Sequence, residues 1–152
     1  MKPEVRHIVC PHCAAVNRLP AAKPPAETKE AKCGVCHEPL FSGHPSAATA
    51  ANFAKHVARN DVPVVVDFWA DWCRPCKMMA PIFERVAAEM EPDIRFLKLD
   101  TESEPDIANH YRIQGIPTLM VFRKGRPIAH RAGVMDAGSL RAWLSEVTGQ
   151  AA

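Results

Sequence analysis

The 152-residue sequence lacks long apolar runs. No segment reaches the about 20 consecutive apolar residues of a membrane-spanning helix, and Met1–His7 contains no apolar stretch typical of a signal peptide. A clustered basic run is also missing, since 19 Lys and Arg are interspersed with 17 Asp and Glu, whereas proteins that bind nucleic acid usually concentrate positive charge. We therefore expect a cytoplasmic protein with neither a membrane nor a nucleic-acid partner.

Large apolar side chains are scarce in the first 42 residues, which contain one of the six Phe and none of the three Trp. A segment this short buries little apolar surface and needs a metal ion or disulfide bonds to fold. The remaining 110 residues carry the long apolar patterns and suffice for one ordinary domain. We predict a small module over residues 1–42 and a larger domain over residues 43–152, with the boundary near Ser42–Gly43.

Cysteine, by contrast, is abundant, because six Cys form three Cys-x-x-Cys pairs. The first two pairs are separated by 19 residues, as in structural zinc sites made of four thiolates: Cys10, Cys13, Cys33 and Cys36. We predict that a tight turn within each pair directs its sulfurs and the following N–H groups toward one Zn²⁺, which also favours a reducing compartment. His12 and His37 lie beside these Cys and are alternative ligands, but with four Cys present we expect them to be ordinary surface residues.

The third pair, Cys73/Cys76, lies between a predicted strand and a predicted helix. The β-branched apolar run over 62–70 is typical of a strand buried on both faces, and a helical pattern follows as far as Met90. At a helix N-terminus, free N–H groups and the helix dipole stabilise an anion, so Cys73 should be a nucleophilic thiolate. Cys76, one turn later and more enclosed, would resolve the mixed disulfide. Pro75 suits the first turn, where its missing N–H is not needed.

Asp67 interrupts the buried apolar run. A buried carboxylate is costly unless it has a partner or a task, and desolvation raises its pKa. We therefore expect Asp67 to act as the base for Cys76, with Lys98 on the neighbouring strand as the counter-charge. The alternatives are a purely structural acid at position 67 and a surface lysine at the sheet edge.

The rest of the larger domain mixes helical and strand patterns. Helical spacing covers three segments: 47–59, 104–112 and 136–148. Strand patterns also cover three segments: 94–100, 117–122 and 127–132. The last two strands predict an antiparallel hairpin around Lys124–Gly125, and Pro81 should kink the helix that follows Cys73. These elements predict an α/β fold in which helices cover both faces of a mixed central sheet.

Several motifs together resemble the thioredoxin family over residues 45–148. They are Val66–Pro81 with its Trp-Ala-Asp-Trp-Cys-Arg-Pro-Cys segment, Gly115–Thr118, Gly125 and Gly133. With the predicted zinc module, the whole chain resembles the thioredoxin 2 type of bacterial thioredoxins. The resemblance implies a thioredoxin fold and a monomeric protein disulfide reductase with a redox-active disulfide. Its substrates would be oxidised proteins, and an NADPH-dependent thioredoxin reductase would recharge it in electron transport and cell redox homeostasis.

The resemblance also implies roles for residues around the dithiol. Ile116-Pro117 matches the family's cis-proline, beside the reactive cysteines. Trp72 would belong to the flat rim that faces the substrate, whereas Trp69 would pack mainly in the core. Gly133 would let a substrate chain approach, unless it is a simple turn glycine.

Arg74 departs from the family, which usually has Gly at this position. Its permanent positive charge would stabilise the neighbouring Cys73 thiolate, so we predict a lowered pKa of Cys73. Because an exposed charge contributes less than about 1 kcal/mol, the reduction potential should rise only tens of millivolts above the about −270 mV of thioredoxin itself. Alternatively, Arg74 affects substrate choice alone. Two other functions stay open, namely a more oxidising or isomerase-like exchanger and a zinc-dependent docking or chaperone module.

Overall fold

The computed structural model describes residues 5–21 and 28–150. The first residues of the chain, on which the signal-peptide expectation partly depends, lie outside this range. The described residues form a small N-terminal hairpin with its loops and a larger α/β domain. The predicted fold class, with a mixed sheet between helices, is therefore confirmed.

The N-terminal hairpin consists of β1 (Val5–Val9) and β2 (Val16–Pro20), which pair antiparallel. Its turn holds the first Cys-x-x-Cys pair, because Cys10 directly follows β1. The hairpin packs into a small apolar cluster that includes Ile8, Leu40, Phe41 and, from the larger domain, Val62. The two strands of this hairpin were not among the predicted elements.

The larger domain contains a five-stranded sheet. Its strands are β3 (Ser46–Ala47), β4 (Val64–Trp69), β5 (Arg95–Asp100), β6 (Thr118–Arg123) and β7 (Arg126–Ala132). They lie in the order β3-β5-β4-β6-β7. The strands β3, β5 and β4 run parallel to one another, β6 is antiparallel to β4, and β7 is antiparallel to β6. The predicted β6–β7 hairpin is confirmed.

Helices cover both faces of this sheet. They are α1 (Phe53–Arg59), α2 (Arg74–Met90), α3 (Pro105–His110) and α4 (Ala137–Thr148). Side chains alternate along β4, so Val65 packs against α2 and α4, whereas Val64, Val66 and Phe68 pack with Phe53 of α1. Helix α2 continues through Pro81. In α4, Leu140, Trp143 and Leu144 are buried and Val147 is partly buried.

The helix predicted over 47–59 is wrong in its first half. Ser46–Ala47 instead forms the edge strand β3, which pairs with Leu97 and Lys98, and the Ala48 N–H donates to the Lys98 carbonyl at 2.8 Å. The Asn52 side chain then accepts the Thr49 N–H at 2.8 Å and closes a turn before α1. Pairing with a distant strand therefore overrides the helical propensity of this alanine-rich segment.

A buried arginine connects the N-terminal hairpin to the larger domain. Arg95 is 0% exposed, and its Nη2 donates to the carbonyls of Val9 at 3.2 Å and Leu40 at 2.8 Å. Its Nη1 lies 3.3 Å from Oε2 of buried Glu91, and its guanidinium lies 4.5 Å from the Phe41 ring centroid. Burial raises the pKa of Glu91, and the Arg95 charge opposes that rise. The sequence analysis missed this residue.

A second polar contact holds the same strand. Asn60 Oδ1 accepts the Val9 N–H at 2.8 Å, so both backbone groups of Val9 bind side chains of the larger domain. Buried His56 contacts Asn60, and burial, followed by the Arg95 charge, lowers its pKa to about 3. Arg95 pairs with Val64 at the start of β4. The contacts of Val9 with Asn60 and Arg95 therefore lie at the end of the sheet opposite Cys73.

Candidate active site and metal site

Four cysteines come together in the N-terminal hairpin and its loops. The Sγ atoms of Cys10, Cys13, Cys33 and Cys36 all lie within 4.8 Å of one another. The Cys10–Cys36 and Cys13–Cys33 Sγ separations are both 3.6 Å. A tetrahedral zinc site with Zn–S distances of about 2.3 Å requires separations of about 3.8 Å. The described residues therefore fit a closed tetrahedral site for a thiophilic divalent ion.

Backbone N–H groups donate hydrogen bonds to these sulfurs, as predicted from the Cys-x-x-Cys turns. The His12 N–H donates to Cys10 Sγ at 3.3 Å, and the Val35 N–H donates to Cys33 Sγ at 3.4 Å. Asn17 adds a side-chain bond from Nδ2 to Cys33 Sγ at 3.4 Å. The Cys36 N–H, followed by the Asn17 amide, lowers the pKa of Cys33 to about 5, which favours its thiolate.

The dithiol lies at the start of α2. Cys73 and Cys76 are joined by a disulfide bond with a Cα–Cα distance of 5.2 Å. Cys73 is the N-cap residue, and the Cys76 N–H donates to its Sγ at 3.2 Å. This N–H and the dipole of α2 favour a negative charge on the Cys73 sulfur. Arg74 and Pro75 occupy the exposed first turn.

One detail of the dithiol differs from expectation. The sequence analysis placed Cys76 in a more enclosed position than Cys73, but both residues are 3% exposed in the disulfide. Cys73 is covered because the Ile116 carbonyl oxygen lies 3.6 Å from its Sγ, and both cysteines pack with Ala70 and Trp69. The difference between them lies in position along α2, with only Cys73 at its N-cap.

The loop before β6 brings three predicted residues together. The Ile116–Pro117 peptide bond is cis, as the family resemblance implies. Gly133 donates its N–H to the Pro117 carbonyl at 2.9 Å. Gly133 has a φ of +94°, in the region that favours glycine, and no heavy atom lies within 4 Å of the position that a Cβ would take. The backbone here is thus open to an approaching chain.

Asp67 and Cys76 line one small cavity. Its volume is about 140 Å³, and Trp69 and Lys98 form part of its wall. Asp67 is 0% exposed, and neither of its carboxylate oxygens has a hydrogen-bond partner among the described residues. Burial raises the pKa of Asp67 to about 7, although the Lys98 charge opposes the rise. The cavity therefore brings the Asp67 carboxyl and the Cys76 thiol group to one enclosed space.

Lys98 lies beside Asp67 but forms no ion pair among the residues that the structure describes. The two residues are register partners on β4 and β5. Lys98 Nζ lies 4.7 Å from the Trp69 ring centroid, a cation–π contact. Lys98 is half-buried, so it is neither a core residue nor a freely solvated lysine at the sheet edge.

Trp72 projects from the protein beside Cys73. It is 69% exposed, and its Nε1 donates to the Glu102 carboxylate at 2.5 Å. The sequence analysis missed Glu102, because the bond joins residues 30 positions apart and no local pattern signals it. The bond restrains a side chain that otherwise lies in solvent.

A nucleophilic cysteine at a helix N-terminus, a second cysteine one turn later and a buried carboxylate near it define a site for thiol–disulfide exchange. The thioredoxin family model matches residues 44–146. Thioredoxin C-3 of Corynebacterium nephridii is 37% identical over 139 residues, which cover 91% of this chain and 93% of the relative. The chain belongs to the thioredoxin family and is a thiol–disulfide oxidoreductase.

Other relatives cover a smaller share of this chain. A thioredoxin-like protein of Synechocystis is 47% identical over 90 residues, covering 59% of this chain and 86% of the relative. The thioredoxin of Porphyra purpurea is 41% identical over 101 residues, covering 66% and 94%. The match to the Corynebacterium protein, by contrast, extends into the N-terminal module. No helix within residues 5–21 and 28–150 is long and apolar enough to cross a bilayer.

Proposed function

We propose that this protein reduces disulfide bonds in oxidised protein substrates by exchange at Cys73 and Cys76. The observation that carries the proposal is the Cys73–Cys76 disulfide at the N-terminus of α2, next to the cavity that Asp67 shares with Cys76. The family match supports a reductase in general. The geometry of the site supports the roles that we propose for the individual residues.

The reaction has two exchange steps. In the reduced protein, the Cys73 thiolate attacks one sulfur of the substrate disulfide, which forms a mixed disulfide and releases the other substrate sulfur as a thiolate. The Cys76 sulfur, after losing its proton, attacks Cys73 Sγ. This step restores the Cys73–Cys76 disulfide and releases the second substrate thiol. Two electrons pass to the substrate, and its two sulfurs leave as thiols once protonated.

Asp67 would accept the Cys76 proton in the second step. Its pKa of about 7 lets it exist as either acid or base near neutral pH, which suits a proton acceptor. Lys98 would help to keep the carboxylate ionised, since its charge lowers the pKa of Asp67. Ile116, Pro117 and Gly133 would present open backbone to the substrate, and Trp72 would form the neighbouring rim.

The four-cysteine set would hold one structural Zn²⁺. The tetrahedral spacing of the sulfurs and the N–H groups that donate to them support this assignment. The ion would tie the two loops together and neutralise part of the thiolate charge. We place the boundary of this module at residue 42, which is consistent with a family match that begins at residue 44. A thiolate zinc site supports a reducing, cytoplasmic location.

The protein would act as a monomer that is recharged by an NADPH-dependent thioredoxin reductase, with no nucleic-acid or membrane partner. Arg74 would stabilise the Cys73 thiolate from the exposed first turn of α2. A midpoint potential near the about −270 mV of thioredoxin would support a reductase. A potential well above the about −200 mV upper end of glutaredoxins would instead support the oxidising or isomerase-like alternative.

Reduction of a protein disulfide with dithiothreitol as the electron source tests the proposal. Wild type should catalyse the reaction, Cys73→Ser should be inactive, and Cys76→Ser should accumulate a mixed disulfide visible by mass spectrometry. Full activity of Cys73→Ser would contradict the proposed mechanism. Substrate binding that survives Cys73→Ser, without any reduction by wild type, would favour the docking or chaperone alternative.

A further inference from the structure

One long stretch of the larger domain contains no acidic residue. Residues 107–135 hold five Lys or Arg and two His but no Asp or Glu, although the whole chain has 17 acids among 152 residues. At that average a stretch of 29 residues would contain about three acids. The basic residues are dispersed, so the sequence shows no run of adjacent charges. The fold brings part of this stretch to one side of the site.

A cleft of about 220 Å³ lies between residues 111–115 and the β6–β7 hairpin. Thr118 and Met120 of β6, with their register partners Ala132 and His130 of β7, form its floor. Arg112 and Gln114 line the opposite side. The cleft therefore combines the apolar side chains of Met120 and Ala132 with a guanidinium, an imidazole and an amide, and pockets that bind selectively also place a few polar groups among apolar ones.

The Arg112 guanidinium and the His130 imidazole have no acidic partner among the described residues. Among the residues that the structure describes, neither Arg112 nor His130 forms an ion pair or a side-chain hydrogen bond. Two other basic residues of the same stretch are engaged, since Lys124 pairs with Asp61 and Arg123 donates to the Thr148 carbonyl at 2.6 Å. The donors beside the cleft are thus available to a ligand.

Arg112 also occupies an unusual backbone conformation. Its φ is +55°, in the left-handed region that glycine adopts without strain. Its N–H donates to the Asn109 carbonyl at 3.0 Å, so the residue terminates α3. Glycine would serve the termination at least as well, and the arginine therefore calls for a role of its side chain.

The cleft adjoins the reacting sulfur. Gly115 lines it, and the carbonyl of the next residue, Ile116, lies 3.6 Å from Cys73 Sγ. We propose that this cleft binds an acidic side chain of the oxidised substrate, with Arg112 as the main charge and His130 as a secondary donor. This inference rests on the proposed disulfide reductase function. An extended chain advances about 3.3 Å per residue, so an acidic residue two to four positions from the substrate cysteine reaches about 7 to 13 Å from it, and we place the acidic residue within that span.

Matched peptide disulfides test this subsite. Each pair of peptides contains Glu or Gln at one position, two to four residues from the reacting cysteine. Second-order rate constants are measured with the fully reduced, metal-loaded protein in single-turnover reactions followed by tryptophan fluorescence. Because a partly exposed ion pair contributes modestly, wild type should prefer Glu by about two- to fivefold at one of these positions. The preference should decline as salt is added.

Four variants separate a specific contact from general charge. Arg112→Gln and Arg112→Gly should abolish the preference, and the glycine variant also relieves the positive φ. Arg112→Lys should retain part of it. Arg126→Gln removes the same charge at the far end of the hairpin, where Arg126 pairs with Arg123, and should leave the ratio unchanged.

The outcomes distinguish failure of the proposed subsite from failure of the proposed reductase activity. Equal rates for Glu and Gln peptides in wild type, or an unchanged preference in both Arg112→Gln and Arg112→Gly, would overturn the subsite and leave the reductase intact. A preference that Arg126→Gln reduces as much as Arg112→Gln would also overturn it, because charge alone would then explain the effect. If wild type reduced neither peptide, the proposed function itself would fail.

Discussion

Replacing Asp67 with Asn should stabilise the oxidised protein much more at pH 8 than at pH 5. The carboxylate is fully buried without a hydrogen-bond partner among the described residues, and its pKa is raised from 3.8 to about 7. Asn has a similar shape but never ionises. The comparison therefore isolates the free energy of holding a negative charge at this position.

The sign follows from proton binding in the two states. Below about pH 4 both the native and the unfolded chains carry a protonated Asp67, and no penalty arises. Between about pH 4 and pH 7 the unfolded chain loses this proton while the native chain keeps it, so rising pH lowers stability. Above about pH 7 the native carboxyl also ionises, and the loss levels off.

The magnitude follows from the same two pKa values. One pKa unit corresponds to about 1.4 kcal/mol, so the change from 3.8 to about 7 amounts to about 4 kcal/mol at pH 8. At pH 5 only about 1.7 kcal/mol of this penalty is present. The stabilisation by Asp67→Asn should therefore increase by about 2 to 3 kcal/mol between the two pH values.

Urea unfolding of the disulfide form, followed by tryptophan fluorescence, measures this difference. In the disulfide form Cys73 and Cys76 do not titrate, and buried His56 contributes equally to both proteins. Glu146→Gln, which removes an exposed carboxylate of α4, is the matched control. A stabilisation by Asp67→Asn that is equal at pH 5 and pH 8 within about 0.5 kcal/mol would refute the reasoning. Because Asn cannot accept a proton, the variant should also slow resolution of the mixed disulfide by about tenfold or more.

Three further predictions concern other parts of the molecule. Arg95→Met should destabilise the protein by about 3 to 5 kcal/mol in urea, because it leaves Glu91 buried without its cation, and adding Glu91→Gln should recover part of the loss. No recovery would show that the ion pair is not the cause. Arg74→Gly should make the midpoint potential more negative by less than about 25 mV in equilibrium with glutathione, and an unchanged thiol titration of Cys73 would exclude the charge effect. Native mass spectrometry should find one Zn²⁺ per wild-type chain and none in Cys33→Ser, whereas metal retained by the variant would exclude a four-thiolate site.

The parts of the site that depend on adjacent residues could be predicted from the sequence. Each Cys-x-x-Cys turn is local, and so is the position of Cys73 between a buried strand and a helix. The unusual role of Asp67 could also be predicted, because burying a single acid within an apolar strand costs free energy unless the acid has a partner or a function. The spacing between the cysteine pairs was enough to predict that four of them meet.

Arg95 carries a similar signal and was missed. It stands between Ile94 and Phe96, but in a strand a charged residue next to apolar ones also fits a solvated face. Its partners, Leu40 and Val9, are 55 and 86 residues away, so only the folded chain identifies the buried alternative. The two-residue strand β3 escaped prediction for the same reason, since its pairing with β5 is not encoded locally.

The hydrogen bonds of Val9 to the larger domain determine whether the proposed zinc module can be transferred to another protein. The N–H and the carbonyl of this residue, one position before the first cysteine of the set, bind Asn60 and Arg95. Fusing residues 1–42 to an unrelated thioredoxin would therefore transfer the cysteines without their support. A graft that also carried Asn60, Glu91 and Arg95 would include the residues that bind Val9 and the ion-pair partner of Arg95. For protein engineering, the transferable unit is thus discontinuous in sequence.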